Sequence, residues 1–253
     1  MGPSQTSEAI ILRARAYGES DKIVTFLTED AGKLTGIAKG AKNSRRRFAN
    51  CLDPFTRVRV HFRVRPGASL VFMESCDLLQ ASGALAEPNK FAYGSYLLEL
   101  VDQLTEEAHP VPDVYRLLHE ALDELTRGAA TSAFLRVFEL RLLHHAGYDP
   151  LLASCVRCQQ SVLSAQGTFL DTVQGSIICA ACRRPDQRLV SVAGQTLAAL
   201  SSLKIVTLGD ARRHRFSAGI AAEAAMLLGH LLALHLPRPL RSVKLIAALT
   251  NER

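Results

Sequence analysis

Four cysteines fall in two matched pairs, Cys155-Val156-Arg157-Cys158 and Cys179-Ala180-Ala181-Cys182, with 20 residues between them. No other feature constrains the chain so strongly. Each C-x-x-C hook turns so that two thiolates converge, and two hooks complete the tetrahedron that a zinc ion accepts. One structural Zn2+ held by Cys155, Cys158, Cys179 and Cys182 is therefore expected. Four sulfur ligands would also close the coordination sphere, so the motif that predicts a metal argues against metal-centred catalysis. The competing readings are a thioredoxin-like redox pair and unliganded core thiols. A redox pair sits in a strand-helix pattern that the segment around Cys155 does not show. Cys51 and Cys76 have no partner at ligand spacing and read as half-buried thiols.

The 253 residues are 48% hydrophobic, enough for a real core in one large or two to three small domains. No run of about 18 apolar residues is present to span a bilayer, and Met1 to Glu8 lacks the basic and apolar regions of a signal peptide. A cytoplasmic protein with reduced thiols and no membrane partner is expected.

The net charge of +6 is unevenly spread. Residues 1–75 carry 13 Lys and Arg against 7 Asp and Glu, residues 76–150 carry 5 against 12, and residues 151–253 carry 12 against 5. Two basic ends around an acidic middle point to separate surfaces for separate partners, with polyanions the natural ligands of the basic ones.

From Glu8 to Glu74, β-branched and aliphatic runs alternate with turn residues, predicting strands over 9–14, 22–28, 33–38, 57–64 and 70–74. Five short strands suggest a small barrel, of which the OB-fold is the common example and a frequent platform for single-stranded nucleic acid. In the fourth strand Val58, Val60, Phe62 and Val64 alternate with Arg57, Arg59, His61 and Arg63. The first set should face a core and the second form a row of positive charge, open to phosphate binding or to plain solvation. Just upstream, Lys39, Lys42, Arg45, Arg46 and Arg47 place five cations in nine residues with no acid. This reads as a mobile loop that binds phosphate, since adjacent arginines repel one another unless an anion lies near. Phe48 and Phe55 read more readily as core than as base-stacking groups.

After Pro88 the period becomes helical, with stripes at Leu97, Leu100, Val101 and Leu104, then from Val114 to Leu125, then from Phe134 to Leu142. Pro110 and Pro112 are expected to end the first helix, and the third should be buried nearly all round. Further helices are expected over 191–203, 217–236 and 240–249. The fold class is thus α+β: an N-terminal OB-fold barrel over 1–80, a helical bundle from 81–150 and 188–253, and an inserted four-cysteine zinc module over 151–187. The acidic helix face with Glu99, Asp102, Glu106, Glu107, Asp123 and Glu124 has no nucleophile arranged with it, and His144 and His145 read as helix-end residues. No Walker loop, dinucleotide fingerprint or nucleophile elbow occurs, so no enzyme is predicted.

Tyr17-Gly18-Glu19-Ser20-Asp21-Lys22 running to Thr28, then Gly32-Lys33, Lys39 to Lys42, Leu52-Asp53-Pro54-Phe55, and Gly147-Tyr148 before the first hook occur in fixed order. With the order of the domains, they resemble the bacterial RecO family of DNA repair and recombination mediators. The resemblance implies an N-terminal OB-fold, binding of single- and double-stranded DNA and annealing of complementary strands. It also implies action with RecR to load RecA onto DNA coated by single-strand DNA-binding protein, engagement of that protein's C-terminal tail, and a nucleoid-associated location. Carried over, Lys39, Lys42, Arg45, Arg46 and Arg47 match the family's basic loop and the four cysteines its metal ligands. For the tail, Arg238, Arg241 and Lys244 beside Leu240 and Val243 are the candidates, because cations next to an apolar groove suit an acidic, aromatic peptide end. The alternative function is a zinc-stabilised DNA-binding transcription regulator or protein-interaction module.

Overall fold

A computed structural model describes residues 3–64, 67–165 and 167–251. The chain forms two compact units, one of residues 1–127 with 240–253 and one of residues 128–239.

The first unit is built on a closed barrel of β1 (Ser4–Tyr17), β2 (Asp21–Thr28), β3 (Gly32–Ala38), β4 (Arg57–Arg63) and β5 (Val71–Gln80), in the order β1-β2-β3-β5-β4 with β4 returning to β1. This is the OB-like arrangement expected. β1 is far longer than its apolar run. Its first half, with polar Ser4 to Ser7, pairs with β4, and its second half pairs with β2 through a bulge between Ile11 and Arg13. One strand thereby serves two neighbours, the bulge supplying the bend that closure requires. β3 and β5 close the barrel in parallel, Gly36 lying opposite Val71. A Cβ on Gly36 would stand 2.8 Å from Met73 Cγ, so the missing side chain leaves room for Met73 to fill the interior. Ile11, Val24, Phe26, Val58, Val60, Phe62 and Met73 are buried together, with Phe26 and Phe62 edge to face at 6.1 Å.

The alternation predicted for β4 holds at Val58, Val60 and Phe62. Val64, expected in the core, lies past the strand's end and is 43% exposed. Helices α1 (Pro88–Leu104) and α2 (Pro112–Arg127) follow. Thr105 stops α1 through its own N–H and hydroxyl, both donated to Val101 O. Pro112 begins α2 instead of ending α1, consistent with the fit of proline to a first helical turn. The connector between the helices runs against β3, where Ala108 N donates to Lys33 O at 2.7 Å. Gly32 (φ 73°) makes this approach possible, because a Cβ there would lie 1.9 Å from His109 O.

The second unit contains α3 (Ser132–His145), a three-stranded antiparallel sheet of β6 (Thr168–Asp171), β7 (Ser176–Cys179) and β8 (Leu189–Val192) in the order β7-β6-β8, then α4 (Gly194–Leu203), α5 (Leu208–Ala211) and α6 (Ala218–Ala233). α3 is buried on nearly every side, as predicted, and takes with it an ion pair of Arg136 with Glu139. The sheet was not anticipated. Ser191 and Val192, expected to open a helix, belong to β8, and α4 begins at Gly194. Glu223 on α6 caps α4 by accepting from Ala193 N at 3.0 Å and from the Thr196 hydroxyl.

The last helix, α7 (Val243–Asn251), belongs to the first unit and packs on α1. The carboxylate of Glu99 on α1 accepts Arg241 N at 2.9 Å, Ser242 N at 2.8 Å and Ser242 Oγ at 2.6 Å, supplying the cap at its start. No helix among the described residues is long and apolar enough to cross a membrane.

Candidate nucleic-acid interface and metal centre

The cationic segment between β3 and β4, expected to be a loop, is hydrogen-bonded to the barrel at several points. Lys42 N donates to Ser20 O at 2.9 Å, Cys76 N to Arg47 O at 2.8 Å, and Phe55 N to Ile11 O at 3.0 Å, so three other parts of the barrel hold its backbone. Phe48, Cys51, Leu52 and Phe55 turn inward and are buried. Phe55 adopts φ 72° and packs edge to face on Phe91 at 5.6 Å. These inward side chains anchor the segment, and the two phenylalanines serve as core.

What projects are the cations. Lys39, Lys42, Arg45, Arg46 and Arg47 are all exposed. Lys42 Nζ donates to Gly18 O at 2.7 Å and Arg47 Nη2 to Lys39 O at 2.9 Å, which positions these two side chains without neutralising them. Among the described residues, Arg45 and Arg46 make no ion pair. At the root of the segment Asp21 accepts Gly40 N at 2.8 Å. That donor first, then the Ser20 hydroxyl, with Lys39 and Lys42 adding to them, holds the Asp21 carboxyl below the usual carboxylate range. A pocket of about 440 Å³ opens here, lined by Lys22, Lys42, Ser44, Arg45, Asn50 and Asp53 among others. Lys22 lies at the start of β2, and its antiparallel pairing with Ala38 of β3 brings it beside the segment.

The row on β4 has a different character. Arg59 pairs with Glu8 at 3.5 Å, Arg63 with Glu74 at 2.7 Å, and His61 with Asp77 at 3.0 Å, while Arg57 donates to the His119 ring. The Ser4 hydroxyl and Arg63 together hold Glu74 below the ordinary carboxylate range. Cross-strand acids on β1 and β5, invisible in the alternation of β4 itself, thus offset most of that row.

In the second unit the four cysteines converge. Their sulfur atoms all lie within 4.8 Å of one another, and those of Cys158 and Cys179 are 3.7 Å apart. A tetrahedron with bonds of about 2.3 Å separates its sulfurs by about 3.8 Å, so the donor set fits one ion. The first hook is docked on β7 through Val156 N to Ile177 O at 2.9 Å, and Gln159 closes it at φ 59° by donating to Cys155 O at 2.9 Å. The second hook is a single 3-10 turn, Ala180–Cys182, at the end of β7. Burial pushes the Cys155 thiol up, but backbone N–H donors from Cys158, Cys179 and Arg157 reverse this and bring it down to about 6. Cys182 is pushed up to about 12, chiefly by sharing hydrogen bonds with Cys179 and Cys158. A cluster that already stabilises one thiolate and shares protons among the rest is suited to exchanging those protons for a cation.

Cys51 and Cys76 are buried in the barrel, Cys51 Sγ donating to Cys76 O at 3.3 Å. Burial first, then the nearby Cys51 and Asp77, pushes the Cys76 thiol far up, and Cys51 is raised by the same desolvation. Of the third set of expected residues, Arg238 belongs to the second unit and Arg241 and Lys244 to the first, and all three are exposed.

Comparison with known proteins divides the chain just after the barrel, so that α1 and α2 of the first unit fall with the second unit. Residues 1–82 match the family model described as Recombination protein O N terminal, and residues 85–244 the one described as Recombination protein O C terminal. The chain is 37% identical over 232 residues to the DNA repair protein RecO of Anaeromyxobacter sp. (strain K), covering 91% of each chain. It is 35% identical over 241 residues to that of Myxococcus xanthus (strain DK1622), covering 95% of this chain and 96% of the relative. Geobacter metallireducens (strain ATCC 53774 / DSM 7210 / GS-15) has another at 36% identity with the same coverage. With both domain models matched in order, and relatives of this identity across nearly the full length, the chain belongs to the recombination protein O family.

Proposed function

We propose that the chain is a DNA-binding recombination mediator in DNA repair. It binds single- and double-stranded DNA, anneals complementary strands and, with RecR, helps load RecA onto DNA coated by single-strand DNA-binding protein. One observation carries the reading: five exposed cations, Lys39, Lys42, Arg45, Arg46 and Arg47, project from a segment whose backbone is hydrogen-bonded to the barrel. Phosphates bound there release counterions, and two strands held on basic surface repel each other less, so annealing needs placement and no catalytic group. The shared name of the relatives, DNA repair protein RecO, supports the process. Arg59 and Arg63 have a secondary place in this reading, since Glu8 and Glu74 already match their charges, and so has Arg57, whose guanidinium is turned to the His119 ring of α2.

The metal is Zn2+, one per chain and structural, in this proposal. Four cysteine donors favour zinc over hard cations and leave no open position. Cys155, Cys158, Cys179 and Cys182 would hold it and so fix the two hooks against β7. For the tail of single-strand DNA-binding protein, Arg238, Arg241 and Lys244 with Leu240 and Val243 remain the proposed contacts, supported by their charge and exposure. Such a protein would work in the cytoplasm at the nucleoid.

The test is annealing of complementary oligonucleotides coated with single-strand DNA-binding protein, with and without the chain. Acceleration that falls as salt rises is the expected result. No acceleration, or binding to one duplex sequence only, would favour a sequence-specific regulator instead.

A further inference from the structure

The segment around the cysteine hooks, residues 151–192, contains four arginines, Arg157, Arg183, Arg184 and Arg188, against two acids, Asp171 and Asp186. Sequence places them up to 31 positions apart, and the small sheet gathers them on one module. All four are exposed. Asp171 is buried, accepting Val173 N at 3.0 Å, Gln174 N at 3.1 Å and Gln187 Nε2 at 2.7 Å, with the charge of Arg157 acting on it as well. Among the described residues, none of the four arginines makes an ion pair.

Their backbone is fixed where the charges emerge. Arg184 and Gln187 bracket a turn, through Arg184 N to Gln187 Oε1 at 2.8 Å and Gln187 N to Arg184 O at 3.3 Å. Arg188 O accepts both the backbone N–H and the hydroxyl of Thr172, at 3.0 and 3.1 Å. Arg157 Nη1 donates to Cys182 O at 2.6 Å, which joins the first hook's cation to the strip that continues into Arg183. The guanidinium of Arg183 lies over the half-buried ring of Phe169 on β6, 5.8 Å from its centroid. Arg157 acts on Asp171 and Asp186 is exposed between Arg184 and Arg188, so the segment keeps an excess of cations, three of them within the six residues 183–188, with a ring beside them. That is the chemistry that takes a single-stranded phosphate backbone and tolerates any base next to it.

We infer that this face of the cysteine module is a second binding surface for single-stranded DNA, independent of the cationic segment of the barrel. The inference rests on the nucleic-acid reading above and extends it: each unit then carries its own strand-binding surface, and one chain engages two strands at once. A competing role exists for the same residues. Four thiolates with one divalent ion carry a net charge of two minus, which nearby arginines would also offset. Arg157, bonded at the hook, is the residue best placed for that role, so it is left intact in the test.

The experiment uses the full, metal-loaded chain and fluorescent oligo(dT) by anisotropy across a salt series, with metal content and melting temperature measured in parallel. The variants are R183A/R184A/R188A, the charge-retaining R183K/R184K/R188K, and R45A/R46A/R47A. Each alanine triple should weaken binding about tenfold or more at low salt, and lower the log-log salt slope by about 2, near 0.7 per lost contact on a single strand. The lysine triple should keep the slope, and metal content should not change. Loss of binding with R45A/R46A/R47A alone would overturn the second surface and leave the proposed function standing. Loss of metal or of melting temperature in R183A/R184A/R188A, with the salt slope unchanged, would assign the arginines to the metal cluster and overturn it as well. No effect from either alanine triple would sink the nucleic-acid reading itself.

Discussion

The carbonyl of Arg47 accepts the amide N–H of Cys76 at 2.8 Å, tying the most basic stretch of the chain to the strand β5. The bond uses only backbone, so the three arginines of that stretch can be replaced without breaking it. R45A/R46A/R47A should therefore keep its fold, with stability changed by about 0.5 kcal/mol per exposed site or less. Its affinity for DNA should fall and lose its salt dependence in proportion. Chemical denaturation beside anisotropy checks both halves, and unfolding of the variant would show that the side chains themselves hold the segment.

Phe48 sits one residue further and points the other way. It is 4% exposed among Ala41, Leu52 and the barrel core, so Phe48→Ala should cost about 3–5 kcal/mol in urea unfolding. A variant that stayed stable while losing affinity for single strands would instead make Phe48 a stacking group.

Chelation of the metal should loosen the second unit and leave the barrel intact. Hydrogen exchange ought to rise across 151–192 and stay low over 9–38, because the barrel core contains no atom of the cysteine cluster. Thiol titration gives a second readout. In the metal-loaded protein Cys51 and Cys76 should react slowly, burial having raised both thiols, and chelation should add at most the four thiols of the cluster, with Cys155 faster than Cys182.

Asp171 makes the same module sensitive to acid. Burial acts to raise its pKa, and the N–H donors of Gln174 and Val173 with Gln187 lower it overall. A carboxyl whose pKa is depressed by folding adds stability that is complete above its unfolded value, near pH 4, and is lost as pH falls through the lower folded value. Circular dichroism or exchange at the β6–β7 turn should therefore show loosening below about pH 4. In Asp171→Ala, about 1–3 kcal/mol should be lost at neutral pH, and the acid step should vanish.

Removing the carboxylate that caps α7 tests the link between the first helix and the last. Glu99→Ala should cost about 0.5–2 kcal/mol and speed proteolysis after Leu240, with Glu99→Gln intermediate, since an amide oxygen can still accept one of the three bonds.

The metal hooks and β4 were legible in the sequence because their signals are local: fixed cysteine spacing, and a strict period of two. β1 was read as half its length, since Ser4 to Ser7 look polar and the bulge after Ile11 interrupts the alternation that would have revealed the rest. The strands of the cysteine module have four residues each, too few to establish a period, and Ser191 and Val192 were absorbed into a neighbouring helical pattern. The charge of the cationic segment is legible in the sequence, and its attachment to the barrel is not. Its anchors are backbone bonds to Ser20, Cys76 and Ile11, partners 22 to 44 positions away that no local pattern announces. The charge balance of β4 was hidden for the same reason, its acids lying on β1 and β5.

α7 lies on the same unit as β1, although 112 residues of the second unit are synthesised between Arg127 and Leu240. On the ribosome the barrel strands, α1 and α2 emerge first and the helix that Glu99 holds emerges last. The N-terminal unit is therefore the first to start folding and the last to finish, and a chain stalled anywhere before Leu240 would present it with the α7 site on α1 still open to solvent.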